Sequence, residues 1–174
     1  MKSMITSQCG KDLWKHCMKA AVGCEILADK LNIVDSSDAF VVGFLHDLGK
    51  MIMNLRDPKT YVKIKEIVAK GMSSVDAENA VFKCNHAEVG SLLAKRWQLP
   101  VMVTNCIKYH HDPKASMMQN VVYMVYAADK MVQENVSENI FDASVWASSP
   151  IEIEDPHALR EAILIKAEAL LRVL

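Results

Sequence analysis

Apolar residues recur at intervals of three and four along most of the chain, and this spacing restricts the fold more than any other feature. Between residues 11 and 31 these positions lie on one face of a helix; they are Leu13, Cys17, Ala20, Ala21, Cys24, Leu27, Ala28 and Leu31. Residues 121–123 could form a strand, but their neighbours keep the helical spacing and no hairpin turn lies nearby. The sequence therefore predicts an all-α protein.

Capping and stop signals divide the chain into about seven to eight helices. Ser36 or Ser37 is expected to cap a helix over about residues 38–55, which is apolar nearly all round and therefore belongs at the centre of the core. Asp57 and Asp155, each followed by proline, cap two later helices. The remaining helices are predicted at about residues 58–70 (ended by Gly71), 73–84 (capped by Ser73 or Ser74), 86–97, 100–111, 118–133 and 156–174.

The length of 174 residues fits one domain, and we find no internal repeat, linker or block of charge. We expect residues 1–135 to form the helical core. Residues 136–174 would then be an irregular segment and a C-terminal helix that packs on the same domain.

Charge and composition exclude several classes of protein. The formal net charge is -1, so no global basic field exists to recruit nucleic acid or an anionic membrane, although a local basic patch remains open. The apolar stretches are far shorter than a membrane span, and the N-terminus does not read as a secretory signal. The five cysteines include no C-x-x-C pair, which favours small buried thiols in a reducing compartment. We therefore predict a cytoplasmic protein.

Residues 46 and 47 place an imidazole beside a carboxylate within the apolar stretch Phe44-Leu45-His46-Asp47-Leu48-Gly49-Lys50. A buried carboxylate needs a partner, because burial of an unpaired charge is costly. A divalent metal ion is one such partner, since imidazole offers a nitrogen lone pair and a carboxylate can bridge two cations. Lys50, one helical turn beyond His46, would direct its ammonium to the same site, where it could hold a phosphate oxygen.

Other potential ligands lie on the remaining helices. They are His16 on the first helix, His86 at the start of a helix, His110 and His111 at the end of another, and Asp129 inside an apolar helix. Each alone has an ordinary alternative, such as a satisfied core histidine or a carboxylate paired with a basic residue. Together they predict a metal site, because helical bundles build such sites from ligands that project inward from separate helices. His157 is the exception and is expected to be an exposed bystander.

The ordered set of motifs resembles the HD superfamily of metal-dependent phosphohydrolases, and more closely its HDOD branch (HD-related output domain). The segments that carry the resemblance are Trp14-Lys15-His16, residues 43–50, His86-Ala87-Glu88-Val89-Gly90, residues 94–100 and Tyr109-His110-His111-Asp112-Pro113. The resemblance covers about residues 13–132. HDOD domains usually carry a further helical portion before the first histidine. Only 15 residues precede His16 here, so we expect that portion to be missing, truncated or replaced and the chain to be a homodimer or a compact relative.

The resemblance implies a single compact HD-like bundle whose ligands converge on one or two divalent ions. The generic HD ligands correspond to His16, His46, Asp47 and Asp129, which suffice for one ion. In the two-metal branch, which includes the HD-GYP phosphodiesterases, Asp47 would bridge to a second ion held by His86, His110 and His111. Iron, manganese and zinc all suit such ligands.

Two functions of different class follow. In the first, Asp47 and Lys50 are catalytic residues of a metal-dependent phosphohydrolase or phosphodiesterase acting on a phosphoester or nucleotide. In the second, the chain is a non-catalytic signalling module that binds a partner protein, with or without metal. The complete ligand set favours the first, and the HDOD resemblance favours the second. Cyclic di-GMP hydrolysis is not supported, because Asp112-Pro113-Lys114 follows the double histidine where HD-GYP proteins carry Gly-Tyr-Pro. A structural helical protein with coincidental histidines is the remaining alternative.

Overall fold

The computed structural model describes residues 8–134 and 139–173, and these residues form helices, turns and loops without a strand. The helices are α1 (Gln8–Leu31), α2 (Ser36–Leu45), α3 (Leu48–Arg56), α4 (Pro58–Val68), α5 (Ser74–Phe82), α6 (His86–Arg96), α7 (Val101–Tyr109), α8 (Gln119–Met131), α9 (Ala143–Trp146) and α10 (Pro156–Val173), with a 3-10 turn at Pro113–Ala115. The all-α prediction is confirmed.

The helix predicted over residues 38–55 is two helices in the structure. The chain leaves α2 at His46 and enters α3 at Leu48, and Asp47 between them has φ -98° and ψ 19°. No glycine or proline lies between Leu45 and Leu48 to indicate the break. The prediction of one continuous helix was therefore wrong, and the break lies at the His-Asp pair.

Side-chain caps fix several helix starts. Asp57, Ser73 and Asp155 cap α4, α5 and α10 as predicted. The cap of α2 was assigned wrongly. Asp35 accepts from the backbone N–H of Ser37, and the Ser37 hydroxyl donates to the same carboxylate. A carboxylate just before the first turn also stabilises the positive end of the helix dipole.

The central element is α8, because every residue from Val121 to Asp129 is buried. The expectation that residues 38–55 occupy the centre was wrong, since Val41 on α2 and Leu55 on α3 are exposed. Helix α1 packs along both α2 and α8. Three of the five cysteines (Cys17, Cys24 and Cys106) are buried, and all five are free thiols, whereas Cys9 and Cys84 are partly exposed.

The C-terminal helix α10 packs against α1. A Cβ built on Gly23 of α1 would lie 3.5 Å from Ile163 Cδ1, and Lys166 Nζ lies 3.0 Å from Glu25 Oε2. Most of the segment predicted to be irregular is loop, with α9 as a single helical turn inside it. The predicted boundary between residues 135 and 136 lies outside the described residues. Among the described helices none is long and apolar enough to cross a membrane.

Candidate metal centre

The seven predicted ligand residues come together where the ends of several helices meet. His16 lies within α1 and Asp129 within α8. The other predicted ligands lie at helix ends, with His46 and Asp47 between α2 and α3, His86 at the start of α6, and His110 and His111 directly after α7. The exposed His157 lies in the first turn of α10.

Cluster A consists of His16, His46, Asp47 and Asp129. His16 Nε2 lies 3.1 Å from Asp129 Oδ1 and 3.4 Å from Asp47 Oδ2. His46 Nε2 lies 3.4 Å from Asp47 Oδ2 and 3.7 Å from Asp129 Oδ1. Two imidazole nitrogens and two carboxylate oxygens therefore face one small volume.

Cluster B consists of Asp47, His86, His110 and His111. His86 Nε2 lies 3.4 Å from Asp47 Oδ1, and His110 Nε2 lies 3.6 Å from the same oxygen. His86 Nε2 is also 3.2 Å from His110 Nε2 and 2.7 Å from His111 Nε2. Three imidazole nitrogens and one carboxylate oxygen converge here.

Asp47 joins the two clusters. Its Oδ2 faces His16 and His46 of cluster A, whereas its Oδ1 faces His86 and His110 of cluster B. Oδ1 is buried and accepts no hydrogen bond from any residue that the structure describes. An unsatisfied buried carboxylate oxygen is costly, so this atom is suited to a cation.

Backbone carbonyls orient two of the imidazoles. The ring nitrogen Nδ1 of His46 lies 2.7 Å from Gly43 O, and Nδ1 of His110 lies 2.9 Å from Ile107 O. A carbonyl oxygen can only accept, so Nδ1 must carry the proton in both rings. In the neutral ring, the lone pair is then on Nε2, the atom that faces the cluster. This is the usual orientation of a metal-binding histidine.

Two residues that the sequence analysis did not identify lie against predicted ligands. The Glu78 carboxylate lies 2.6 Å from His86 Nδ1, and the side-chain amide of Gln133 donates to Asp129 Oδ2 at 3.2 Å. Gln133 lies four residues after Asp129, a helical spacing that could have suggested the contact. Glu78 gives no such local signal, because it belongs to the preceding helix.

Lys50 lies at the edge of cluster A. Its ammonium donates to Asp47 Oδ2 at 2.8 Å, as expected from the spacing of three residues, and its side chain is partly exposed. Burial would lower the pKa of Lys50, but the Asp47 and Asp129 carboxylates more than offset this and raise it. The side chain is therefore a permanent positive charge beside the clusters.

The electrostatics of the two clusters differ. Burial alone would lower the pKa of His46, but Asp47 and Asp129 raise it to about 10. In cluster B, burial together with the Lys50 charge holds the pKa of His86 well below its ordinary value. Burial and the neighbouring His110 lower that of His111 as well. Cluster A thus attracts positive charge, and His86 and His111 are neutral imidazoles that can act as ligands.

The donor sets fit divalent metal ions. In cluster B, the Nε2 atoms of His86 and His111 lie 2.7 Å apart beside an unsatisfied carboxylate oxygen, and a cation between these groups would satisfy them. Cluster A offers the mixed imidazole and carboxylate set common to zinc, iron and manganese sites. His16, His46 and Asp47 form one group of potential ligand atoms, and His86, His110 and His111 form another.

The clusters are closed on most sides. His46, Asp47, His86 and His110 are fully buried and Asp129 is nearly so. Only His16, His111 and Lys50 are partly exposed, so these side chains mark the opening to solvent.

The chain belongs to the HDOD family, because the model of the HDOD domain matches residues 3–113. Among curated relatives, a protein of Treponema pallidum without an assigned function is 32% identical over 107 residues, which are 59% of this chain and 20% of that protein. Ribonuclease Y of Thermus thermophilus is 30% identical over 125 residues, or 72% of this chain and 17% of the relative. The chain therefore spans a fifth or less of the length of these relatives.

Solved structures show the same fold. An HDOD domain protein of unknown function from Geobacter sulfurreducens superposes with a TM-score of 0.76 at 23% identity, over 92% of this chain and 61% of that one. A candidate phosphohydrolase from Shewanella amazonensis gives a TM-score of 0.69 at 23% identity, over 88% of this chain and 59% of the other. A candidate signal transduction protein from Marinobacter aquaeolei gives 0.77 at 17% identity, over 93% and 38%.

Proposed function

We propose that this HDOD domain is a phosphoester hydrolase that uses two divalent metal ions, one in cluster A and one in cluster B. The observation that carries the proposal is the orientation of Asp47, whose two oxygens each face a separate set of imidazoles. A carboxylate that bridges two ions lies in this way between two sets of ligands.

The residues divide into two sets under this proposal. His16, His46, Asp47 and Asp129 hold the first ion, and Asp47, His86, His110 and His111 hold the second. Divalent ions supply Lewis acidity toward a phosphoester and a water nucleophile at neutral pH. Iron, manganese and zinc are all compatible with these ligands.

Lys50 is proposed to bind the substrate. Its ammonium lies against Asp47 and reaches the partly exposed side of cluster A. A phosphate oxygen entering from that side meets a fixed positive charge, which favours binding and offsets the negative charge that grows in the transition state. The fully buried imidazoles of His46, His86 and His110 lie behind it and keep bulk water away from the proposed ions.

A phosphodiester is the proposed substrate class. Ribonuclease Y, a relative over 72% of this chain, is named for the cleavage of RNA, whose backbone is a phosphodiester. The net charge of -1 provides no global basic field for a long polyanion, so we propose a small phosphodiester or nucleotide.

Signalling without turnover is the second candidate. It is favoured by the burial of the clusters, since only His16, His111 and Lys50 are partly exposed and the approach for a substrate is narrow. The similar fold of the Marinobacter aquaeolei candidate signal transduction protein agrees with this alternative. In that case the metal ions would stabilise the fold, and the surface of the domain would bind a partner protein.

The direct test is hydrolysis of two chromogenic substrates after reconstitution with Mn²⁺, Fe²⁺ or Zn²⁺. Bis(p-nitrophenyl) phosphate represents a diester and p-nitrophenyl phosphate a monoester. We expect hydrolysis of the diester that depends on added metal and is lost on chelation. The variant Lys50→Met serves as the control, because it removes the charge but leaves all seven ligands. It should keep the metal and lose about 100-fold in rate.

The outcomes separate the two candidates. Metal-dependent hydrolysis that requires Lys50 supports a phosphodiesterase. Two tightly bound ions with no hydrolysis of either ester would contradict catalysis and support the signalling module.

A further inference from the structure

Glu78 is a fully buried acid that belongs to neither cluster. It lies on α5, and only 1% of its surface is exposed. Its Oε2 accepts from the backbone N–H of His86 at 2.8 Å and lies 2.6 Å from His86 Nδ1. One oxygen of Glu78 therefore contacts both the backbone and the ring of a single residue.

The position of His86 explains why it needs a partner from another helix. His46 and His110 each direct Nδ1 to the carbonyl three residues earlier, Gly43 O and Ile107 O, at the end of their own helices. His86 is the first residue of α6, so no earlier turn of that helix exists.

The residue three positions before His86 cannot take that role within a helix. Lys83 ends α5 in the left-handed conformation, with φ 61°, and lies outside α6. The acceptor for His86 Nδ1 therefore comes from a side chain, and that side chain is Glu78.

We infer that Glu78 is the positioning residue of cluster B. It holds His86 as the Nδ1–H tautomer, so that the lone pair is on Nε2, the nitrogen on the side of the ring that faces Asp47. The predicted effect on metal affinity rests on the proposed function, whereas the predicted tautomer of His86 does not. Without an acceptor at Nδ1, the neutral ring can place its proton on Nε2 and present an N–H to the ion.

Glu88 provides a matched control. It accepts from the backbone N–H of Asn85 at 3.2 Å and thus also holds the start of α6, as part of a capping box. If Glu78 only stabilised the start of α6, its replacement would have the same effects as replacement of Glu88. The variant Glu88→Ala should destabilise the helix start and leave the His86 tautomer unchanged.

The first measurement uses the metal-free protein. Long-range ¹H–¹⁵N spectra of the histidine rings, with His86 assigned by its loss in His86→Gln, report the tautomer directly. We expect Nδ1–H at His86 in wild type and in Glu78→Gln, since glutamine keeps an acceptor oxygen. Glu78→Leu should shift the ring toward Nε2–H.

The second measurement is a Co²⁺ titration of the same proteins, followed by visible absorption. Wild type and Glu88→Ala should bind two equivalents. Glu78→Leu should keep the first ion and bind the second about 10- to 100-fold more weakly, and Glu78→Gln should restore most of the affinity.

The results distinguish failure of this inference from failure of the proposed function. An Nε2–H tautomer at His86 in wild type would overturn the inference, and so would a folded Glu78→Leu with an unchanged tautomer and two tight ions. If wild type binds no Co²⁺ but Glu78→Leu shifts the tautomer, the proposed function fails and the positioning role of Glu78 stands. If Glu78→Leu does not fold, the His86 tautomer in wild type and in Glu78→Gln tests the inference. An Nε2–H ring in either protein would overturn it.

Discussion

Gly49 of α3 lies directly against the backbone of His86 at the start of α6. A Cβ at residue 49 would overlap the His86 carbonyl oxygen and carbon. Only glycine permits this approach, which brings Asp47 at the start of α3 within 3.4 Å of His86 Nε2. The geometry of cluster B therefore depends on a residue that has no side chain.

Replacement of Gly49 by alanine should lower the free energy of unfolding by about 3 kcal/mol, because the new methyl group meets backbone that cannot rotate away. Urea denaturation measures this loss. The variant should also bind the second metal ion more weakly, since α3 and α6 must separate.

Gly71→Ala is the control for that prediction. Gly71 has φ 101° and open space around it, so alanine there costs about 1 kcal/mol through backbone strain. It should leave metal binding intact. Equal metal affinity in the Gly49 and Gly71 variants would contradict the role of the close approach.

Asp47→Asn should remove both metal ions, because the amide keeps the shape of the carboxylate but supplies no charge to either cluster. Elemental analysis of the purified variant gives the metal content. His157→Ala, at an exposed position on α10, should retain the wild-type content. Wild-type metal content in Asp47→Asn would be incompatible with a bridging carboxylate.

His16→Gln and His110→Gln should each reduce the metal content from two equivalents to one, because each side chain belongs to a single cluster. The remaining ion should be in cluster B for the first variant and in cluster A for the second. Isothermal titration of the metal-free proteins with Zn²⁺ measures the number of ions that each variant binds. Loss of both ions in each variant would show that the clusters bind as one unit.

Ile163→Ala should destabilise the protein by about 2–5 kcal/mol, because Ile163 is fully buried where α10 packs on α1. Ile165, two residues further along α10, is 64% exposed, and Ile165→Ala should change stability by less than about 0.5 kcal/mol. The comparison tests whether the C-terminal helix belongs to the folded domain. Equal effects of the two variants would argue against it.

The helices and the candidate ligands could largely be found from the sequence, because both depend on local patterns. Apolar spacing identifies helices, and Asp57 and Ser73 indicate the starts of α4 and α5. The histidines are conspicuous because each lies beside apolar residues or at a helix end. Their convergence on Asp47 follows from the family resemblance and is present in the structure.

Features that depend on contacts between helices were not predicted. Nothing in residues 44–48 marks the break between α2 and α3, because the apolar pattern continues through it. The central position of α8 depends on which helices surround it. Glu78 was missed because its role depends on how α5 turns into α6, and spacing along the chain does not reveal that turn.

The proposed two-metal centre is tested most simply by the metal content of the protein, purified without a histidine tag or chelator and analysed for iron, manganese and zinc. We expect two equivalents per chain in wild type and none in Asp47→Asn. The absence of metal in the wild-type protein, even after incubation with all three ions, would contradict the proposed metal centre.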